Sequence, residues 1–439
     1  MKSEQIPTLV QDDVSHGVFT VRREIFYDEA IFAAEMERIF EGNWVFLAHE
    51  SQIPNPHDFM TTYMGRQPVI LTRTKSGEIK GFLNSCPHRG AALCRTVKGN
   101  KPYITCPYHG WVFDSAGKNM EIKDVANGGY PEPFLQEGHD LVSLGRLDIY
   151  RGFVFGSINP DVKPLADHLG EAKVFIDLLA DQSAEGLEVL KGYSTYTTKS
   201  NWKLQTENGV DGYHFTTVHA NYVQVLSRRQ MERAEKDNVK GIDGKRLLQF
   251  KNGCYDLGNG HVVIWAEIPN SGDRPLAFKR DEVIARVGET KAKWMVERMR
   301  NLLLFPNVFL MDQASTQIRV IRPIRPDLTE VTIYCMAPKD ETPEARERRI
   351  RQYEDFFNAS GMATPDDLAE FDACQKGFQA RAIEWQQGYE RGISHMIPGP
   401  DEEAKVLGCN PVSSGVNFQD ETLYHGQYRR WQELMQGVV

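Results

Sequence analysis

The sequence contains no apolar run near the roughly 18 residues that a membrane span requires. Its first residues, MKSEQIPTLVQDD, lack the basic and apolar regions of a signal peptide. Basic residues are in the minority, with 51 Lys and Arg against 60 Asp and Glu and a net charge of -9. We therefore expect a cytoplasmic protein with neither a membrane nor a nucleic acid as its partner.

Cysteine is also sparse, with seven residues scattered over 439 positions. With 41% hydrophobic and 25% charged residues the composition is that of a globular protein, and an odd, scattered set of cysteines predicts reduced thiols. Cys86, Cys94 and Cys106 lie near one another in the sequence and form a candidate metal site.

The length exceeds what one compact core accommodates and predicts two domains. Short β-like runs broken by turn residues fill residues 43–159, and the stretch NPDVKP then interrupts all periodicity. Residues 160–439 mix helical and strand patterns. We predict an α+β chain in which an all-β module, residues 43–159, is inserted between an N-terminal helical part, residues 1–42, and residues 160–439 of the same larger domain.

Two helices of the larger domain have predictable ends. In DEAIFAAEMERIF the large apolar residues share one helical face, and Asp28 is the expected N-cap. The stretch EARERRIRQYEDFFNASG predicts a long amphipathic helix with Gly361 near its C-cap.

Two short motifs of the β module, CPHRG and CPYHGW, each combine one cysteine with one histidine: Cys86 with His88, and Cys106 with His109. Their prolines and glycines are typical of tight loops whose backbone closely approaches a bound group. Two such loops can bind a metal centre from opposite sides.

Two cysteines and two histidines fit two kinds of metal site. A structural zinc site takes the same four ligands, whereas a Rieske [2Fe–2S] cluster holds one iron with two cysteines and the other with two histidines. The order Cys-x-His, then Cys-x-x-His, gives each loop one ligand for each iron, and this favours the Rieske cluster and single-electron transfer. Cys94 has no histidine partner, and we interpret it as a buried thiol.

A second candidate metal site lies in the stretch NGVDGYHFTTVH, which contains Asp211, His214 and His219. Two histidines and one carboxylate form the facial triad of non-haem Fe(II) sites, which leaves positions open for dioxygen and substrate. The two histidines lie about 140° apart on an ideal α-helix, so we expect a π-bulge or a helix end between them. A pair of hydrogen-bonded core histidines is the alternative interpretation.

Asp211 precedes His214 by about one helical turn. We expect its carboxylate to accept the N–H of that imidazole and fix the tautomer. The alternative is a simple helix-start aspartate. The carboxylate ligand of the iron then comes from elsewhere in the chain.

The two constellations together resemble the large (α) subunit of Rieske non-haem iron aromatic-ring-hydroxylating dioxygenases, over essentially the whole chain. Four longer stretches are similar to the benzoate/toluate branch of that family, which includes anthranilate and halobenzoate enzymes: IFEGNWVFLAHESQIPN, NWKLQTENGVDGYH, RNLLLFPNVFLMDQ and RQYEDFFNASGMATPDDLAEFDACQ. The resemblance implies a helix-grip catalytic domain, an antiparallel sheet with helices, that contains the Rieske module.

The resemblance also implies one [2Fe–2S] cluster and one mononuclear Fe(II) per chain, with the cluster held by Cys86, His88, Cys106 and His109. It implies that His214 and His219 bind the iron together with a carboxylate from TPDDLAEF. Asp366 and Asp367 are both candidates there, and matching DDLAEF to the acidic pair of the family selects Asp367.

In the family, the counterpart of Asp211 bridges an iron-ligand histidine to a cluster histidine of the neighbouring subunit. An asparagine beside the iron matches Asn208. The resemblance further implies a ring of three α subunits, with or without small β subunits, and a separate flavin–iron–sulfur reductase. We expect NADH to bind to that separate reductase and not to this chain, because no glycine-rich nucleotide-binding motif follows a predicted strand here.

The implied reaction is the 1,2-dioxygenation of a benzoate-type aromatic carboxylate to a cis-dihydrodiol. A Rieske monooxygenase of a related acid such as salicylate is the alternative within the enzyme class, and a zinc-stabilised binding protein without redox activity is the alternative outside it.

A buried carboxylate needs a cationic or donor-rich partner, and QIRVIRP offers Arg319 and Arg322. Their three-residue offset sends them to opposite faces of a strand. At most one can therefore face the pocket, and a surface position is the default expectation for each. Residues 223–260 match the family least and follow the second histidine, so we expect them to cover the pocket.

Overall fold

The structure is a computed structural model that describes residues 3–237, 250–268, 271–313 and 315–438. The chain divides into two compact units, one formed by Met1–Glu35 with Ala166–Val438 and the other by Met36–Leu165. Among the described residues, no helix combines the length and the apolar character needed to cross a membrane.

The strands of the described residues, in chain order, are β1 (Val10–Asp13), β2 (Val18–Arg22), β3 (Val45–His49), β4 (Asp58–Met64), β5 (Gln67–Arg73), β6 (Ile79–Leu83), β7 (Lys98–Asn100), β8 (Tyr103–Thr105), β9 (Val112–Asp114), β10 (Asn119–Glu121), β11 (Arg146–Tyr150), β12 (Phe153–Ser157), β13 (Leu187–Val189), β14 (Ser194–Thr198), β15 (Asn252–Asp256), β16 (Val262–Glu267), β17 (Arg298–Leu304), β18 (Val308–Asp312), β19 (Thr316–Arg325), β20 (Leu328–Pro338), β21 (Trp385–Gln386), β22 (Ile397–Pro398) and β23 (Ser413–Gly415).

The α-helices of the same residues are α1 (Glu29–Glu35), α2 (Glu132–Gln136), α3 (Leu165–Leu169), α4 (Ala172–Ala180), α5 (Trp202–Asn208), α6 (Phe215–Val218), α7 (Ala220–Asp237), α8 (Arg280–Val287), α9 (Glu289–Val296), α10 (Pro343–Asp355), α11 (Thr364–Gly377), α12 (Glu402–Leu407) and α13 (Tyr424–Met435). A π-helical segment, Met36–Glu41, follows α1.

The unit formed by Met36–Leu165 consists of three antiparallel sheets, with strand orders β6-β5-β4-β7, β10-β9-β8 and β11-β12-β3. The pairing of β3 with β12 joins the two ends of this segment. Its apolar core is formed by Phe59, Ile70, Phe82, Cys86, Leu93, Cys94, Ile104, Cys106, Trp111, Phe113 and Leu141. Two of the predicted cluster ligands, Cys86 and Cys106, are thus part of this core.

The other unit is built on a ten-stranded sheet with the order β13-β20-β19-β18-β17-β16-β15-β23-β22, and β14 also pairs with β20. Every pairing in it is antiparallel. The helices α5 and α10 pack against β19, and α11 packs against α5 and β14. The α+β prediction, with an all-β module inserted in a domain of antiparallel sheet plus helices, is confirmed.

A buried carboxylate connects three helices of this unit. The side chain of Glu35, at the end of α1, accepts hydrogen bonds from Trp202 Nε1 at 2.8 Å and Lys203 Nζ at 2.5 Å, both in α5, and from Trp431 Nε1 of α13 at 2.7 Å. Breaking a buried ion pair of this kind typically costs about 3–5 kcal/mol. These bonds hold α5, whose last residue is Asn208, in a fixed position.

The two predicted helix ends have different outcomes. Asp28 is confirmed as the cap of α1, because its Oδ1 accepts the backbone N–H of Ile31 at 2.8 Å. The expected C-cap at Gly361 is wrong, since α10 ends at Asp355. Phe356 and Phe357, the two residues that directly follow α10, are both buried, so tertiary packing and not a glycine marks this helix end.

Candidate functional site

Two similar loops in the Met36–Leu165 unit present the predicted cluster ligands. In the first, Gly90 N donates to Cys86 O at 2.8 Å, and in the second Gly110 N donates to Cys106 O at 3.0 Å. Gly90 and Gly110 adopt φ values of 71° and 74°, which side chains with a Cβ rarely adopt. The glycine in each motif therefore closes the turn that carries the cysteine and the histidine.

The two loops face each other with like ligands paired. Burial raises the pKa of the Cys86 thiol, and a hydrogen bond between the thiols of Cys86 and Cys106 raises it further. The imidazole rings of His88 and His109 lie 4.5 Å apart between centroids. A thiol pair beside an imidazole pair is the donor arrangement that a cluster with one cysteine-ligated and one histidine-ligated iron requires.

The surroundings of His88 also fit a metal ligand. Its Nδ1 atom is buried and has no hydrogen-bond partner among the described residues, and its ring stacks on Trp111 at 5.1 Å between centroids. A buried nitrogen without a partner is costly unless it binds a group. Cys94 is a buried thiol as expected, and burial raises its pKa to about 11.

Helix ends bring the two histidines of the second constellation together. His214 precedes α6, and His219 lies between α6 and α7. Their Nε2 atoms are 3.2 Å apart. Of the two expected distortions, the structure shows a helix end and not a π-bulge. The short helix α6 ends before His219, and α7 begins directly after it.

Asp367, in the first turn of α11, completes this set. Its Oδ1 atom lies 3.2 Å from His219 Nε2 and 3.5 Å from His214 Nε2. Among the described residues these three form a group whose ligand atoms all lie within 4.8 Å of one another. Two imidazoles and one carboxylate at this spacing could hold Fe(II) and leave positions open.

The neighbouring Asp366 occupies a different environment. Its side chain is 43% exposed, against 12% for Asp367, and its Oδ2 atom lies 4.0 Å from Nδ1 of His219. The Nδ1 and Nε2 atoms are on opposite sides of an imidazole ring. The structure therefore directs the carboxylate of Asp367, and not that of Asp366, to the shared centre.

Asn208, the last residue of α5, and Asp211, in the loop that follows, both contact this set. Asp211 Oδ2 lies 2.9 Å from His214 Nδ1, and its Oδ1 accepts the backbone N–H of Tyr213 at 2.6 Å. Asn208 Nδ2 lies 3.2 Å from Asp367 Oδ1 and 3.4 Å from His214 Nε2. Burial lowers the pKa of His214, but the hydrogen bond and charge of Asp211 and the charge of Asp367 outweigh it and raise that pKa. The site thus favours a positive charge.

An acidic residue that was not predicted, Glu207, directly precedes Asn208 in α5. Burial raises the pKa of Glu207 to about 7, against hydrogen bonds from Tyr428 and Tyr389. Burial, with the charges of Asp211 and Glu207, raises the pKa of Glu421 to about 8. Nothing in the neighbouring sequence indicates that packing raises the pKa of Glu207.

A cavity of about 220 Å³ adjoins the His214–His219–Asp367 set. Its walls come from the loop after α5, from strands β16–β19 and from the residues around α10 and α11. The apolar lining residues are Phe215, Tyr222, Ile264, Ala266, Ile268, Met299, Met311, Phe356, Phe357 and Phe418. Residues 238–249 of the segment expected to cover the pocket lie outside the described residues.

Arg319 and Arg322 point to opposite faces of β19, as predicted. Arg322 is 29% exposed and pairs with Glu330 at 3.2 Å. Arg319 is only 2% exposed and lines the cavity, so the expectation of a surface position is wrong for Arg319. Strand periodicity alone does not locate Arg319 in the interior, because Thr316, Gln317 and Ile318 are buried as well and both faces of this part of β19 are covered.

Both candidate sites lie in segments that match known protein families. The Rieske [2Fe-2S] domain family matches residues 43–135, and the ring hydroxylating alpha subunit (catalytic domain) family matches residues 187–437. The toluate 1,2-dioxygenase subunit alpha of Pseudomonas putida is 49% identical over 433 residues, covering 98% of this chain and 94% of that protein. The 2-halobenzoate 1,2-dioxygenase large subunit of Burkholderia cepacia is also 49% identical, covering 98% and 92%.

A solved structure of naphthalene 1,2-dioxygenase from Rhodococcus sp., bound to indole, has a TM-score of 0.84 and 26% identity, covering 99% of this chain and 98% of that one. The two matched domains imply a Rieske [2Fe–2S] cluster and a mononuclear iron as cofactors, and the two donor sets of this chain fit them. The chain therefore belongs to the family of Rieske ring-hydroxylating dioxygenases, as an alpha (large) subunit.

Proposed function

We propose that this chain is the terminal oxygenase subunit that cis-dihydroxylates a benzoate-type aromatic carboxylate at positions 1 and 2, with O2 and with electrons from an NADH-dependent reductase. The observation that carries the proposal is the apolar cavity that opens onto a two-histidine, one-carboxylate set. Toluate and 2-halobenzoate, named in the two relatives at 49% identity, are substituted benzoates, which supports this substrate class.

The ligand roles are part of the same proposal. Cys86 and Cys106 hold one iron of the cluster, and His88 and His109 hold the other. His214, His219 and Asp367 hold the mononuclear iron. The thiol and imidazole pairing of the two loops and the short distances within the triad support these roles.

The cofactors supply single-electron transfer and the activation of dioxygen. The protein residues hold the cofactors and fix the orientation of the ligand side chains. Asp211 accepts the Nδ1 proton of His214, which leaves Nε2 free as a ligand atom and fixes the ring orientation. Asn208 donates to Asp367 Oδ1 and limits the orientations of that carboxylate.

The cavity walls hold the substrate ring and exclude water. Phe357, Met311 and Ile264 offer apolar and aromatic surface that suits a flat ring. A ring held in this way would present one face to the triad, and a cis product requires both new C–O bonds to form on that face.

Other subunits complete the enzyme. The relatives are named as an alpha and a large subunit, which supports an enzyme of more than one kind of subunit. A ring of three such chains, with small β subunits or alone, is part of the proposal. In that ring Asp211 would connect His214 to the cluster ligand His109 of the neighbouring copy. A flavin–iron–sulfur reductase is the proposed electron donor.

The test is a product assay with a compatible reductase, NADH and ¹⁸O2 on benzoate, toluates, anthranilate, halobenzoates and salicylate. We expect a cis-dihydrodiol acid with both oxygen atoms labelled. A single labelled atom in a hydroxylated product would indicate a monooxygenase. A colourless, zinc-containing protein without redox activity would reject the enzyme altogether.

A further inference from the structure

Arg319 occupies an interior position on the central sheet. It lies in β19, with Phe309 of β18 and Ile333 of β20 as its register partners. Its side chain is 2% exposed and lines the cavity, and its guanidinium carbon lies 5.3 Å from the ring centroid of Phe357, another lining residue. The cation is therefore buried at the wall of the cavity.

The guanidinium of Arg319 lacks the partners that a buried charge requires. Its Nε and Nη2 atoms are buried and have no hydrogen-bond partner among the described residues. Buried charges in proteins are otherwise paired and hydrogen-bonded. The contact with Phe357 is weaker than a charge-assisted hydrogen bond, so it does not compensate for two unpaired donors.

The acidic groups of the cavity wall have other partners. Glu267 pairs with Lys293 at 3.4 Å and with Arg298 at 3.3 Å. Asp211 contacts His214, and Asp367 belongs to the triad. Among the described lining residues, Arg319 is thus a cation whose countercharge the protein does not supply.

We infer that the guanidinium of Arg319 binds the carboxylate of the aromatic substrate, and that this contact selects aromatic acids over uncharged aromatic compounds. The inference rests on the proposed function and names the residue that gives it its substrate class. A guanidinium can donate two parallel hydrogen bonds to the two oxygens of one carboxylate. The apolar remainder of the cavity suits the ring.

The variant that tests this is Arg319→Met, which removes the donors while keeping an unbranched apolar side chain. Arg322→Met is the matched control, because Arg322 lies on the same strand and faces away from the cavity. Benzoate and its uncharged isostere benzamide are the probes. Binding by titration calorimetry and turnover with reductase are measured for both.

For Arg319→Met we expect the Kd for benzoate to rise, and kcat/KM for benzoate to fall, by about 30-fold or more, the lower bound for truncating one partner of a buried charge pair. Benzamide should bind and react as in the wild type, and the preference for the acid should disappear. Arg322→Met should match the wild type. Arg319→Lys, which keeps the charge, should retain part of the preference for the acid.

Two outcomes would overturn the inference, and they are distinguishable from failure of the proposed function. Unchanged benzoate binding in an iron-replete Arg319→Met protein would show that the carboxylate is bound elsewhere. If Arg319→Met does not fold, the test uses Arg319→Lys. An Arg319→Lys protein whose Kd values for benzoate and benzamide rise by the same factor would show the same. A wild type that neither binds nor oxidises any aromatic acid would reject the proposed function, and the inference with it.

Discussion

The choice between Asp366 and Asp367 as the third iron ligand gives a sharp test of the triad. Asp367 Oδ1 lies within 3.5 Å of the Nε2 atoms of both histidines, whereas Asp366 Oδ2 lies 4.0 Å from the far side of His219. We therefore expect Asp367→Ala to lose the mononuclear iron and all activity, and Asp366→Ala to keep both.

The expected size of the effect follows from the geometry. Changes outside a ligand set typically cost about 10–100-fold in metal affinity, so the loss of one of three protein ligands should cost more. Purified Asp367→Ala should contain about two iron atoms per chain in place of about three. Its cluster absorbance should be unchanged, because the cluster loops belong to the separate Met36–Leu165 unit.

The two variants form a matched pair for stability. Both aspartates lie in the first turn of α11, where a carboxylate typically contributes about 0.3–1 kcal/mol through the helix dipole. Thermal unfolding of the two apoproteins should therefore differ little, while iron analysis separates them. An iron-depleted Asp366→Ala beside an iron-replete Asp367→Ala would refute the assignment and move the ligand back by one residue.

Three further predictions concern other parts of the molecule. Cys86→Ser should lose the visible cluster absorbance and Cys94→Ser should keep it; equal spectra would reject the ligand assignment. Asp211→Asn should retain the cluster and the mononuclear iron while product formation falls by about 10–100-fold, and a normal rate in an iron-replete protein would make this carboxylate dispensable. Because burial raises the pKa of Glu207 to about 7, the folded state keeps a proton that the unfolded state loses above about pH 4.5, and stability falls as pH rises through this window. Glu207→Gln should remove about 2 kcal/mol of this fall between about pH 5 and pH 7, as measured by denaturant titration at both pH values; an unchanged pH dependence would contradict the buried-acid interpretation.

Sequence reasoning predicted the two candidate metal sites, whose residues the structure brings together, because each set is encoded mainly by short spacings. The two Cys–His motifs form loops whose turns close within five residues, as the Gly90 and Gly110 hydrogen bonds show. The pair His214 and His219 required only a local change of helix direction. The carboxylate of Asp367 is distant in sequence, and it was found through family resemblance and not from the residues alone.

The errors arose where packing across the sheet decides the outcome. Strand periodicity separated Arg319 from Arg322 correctly, but it does not indicate which face of β19 another layer covers. The helix end near Gly361 was misplaced for the same reason, since the burial of Phe356 and Phe357 overrides local helix propensity. Glu207 was missed because its burial depends on Tyr389 and Tyr428, which lie far along the chain.

The proposed iron ligands and the cavity wall lie on different elements, so each can be altered separately. The proposed iron ligands project from α11 and from the short segments between α5 and α7, while Arg319, Met299 and Met311 reach the cavity from β17–β19. The cavity wall can therefore change on the strands without displacing a metal ligand. A sheet whose register is fixed by many hydrogen bonds tolerates substitution of one inward side chain if volume is kept. Substrate selectivity should therefore be separable from iron binding, and Arg319 is the position at which we expect a single change to abolish the preference for aromatic acids.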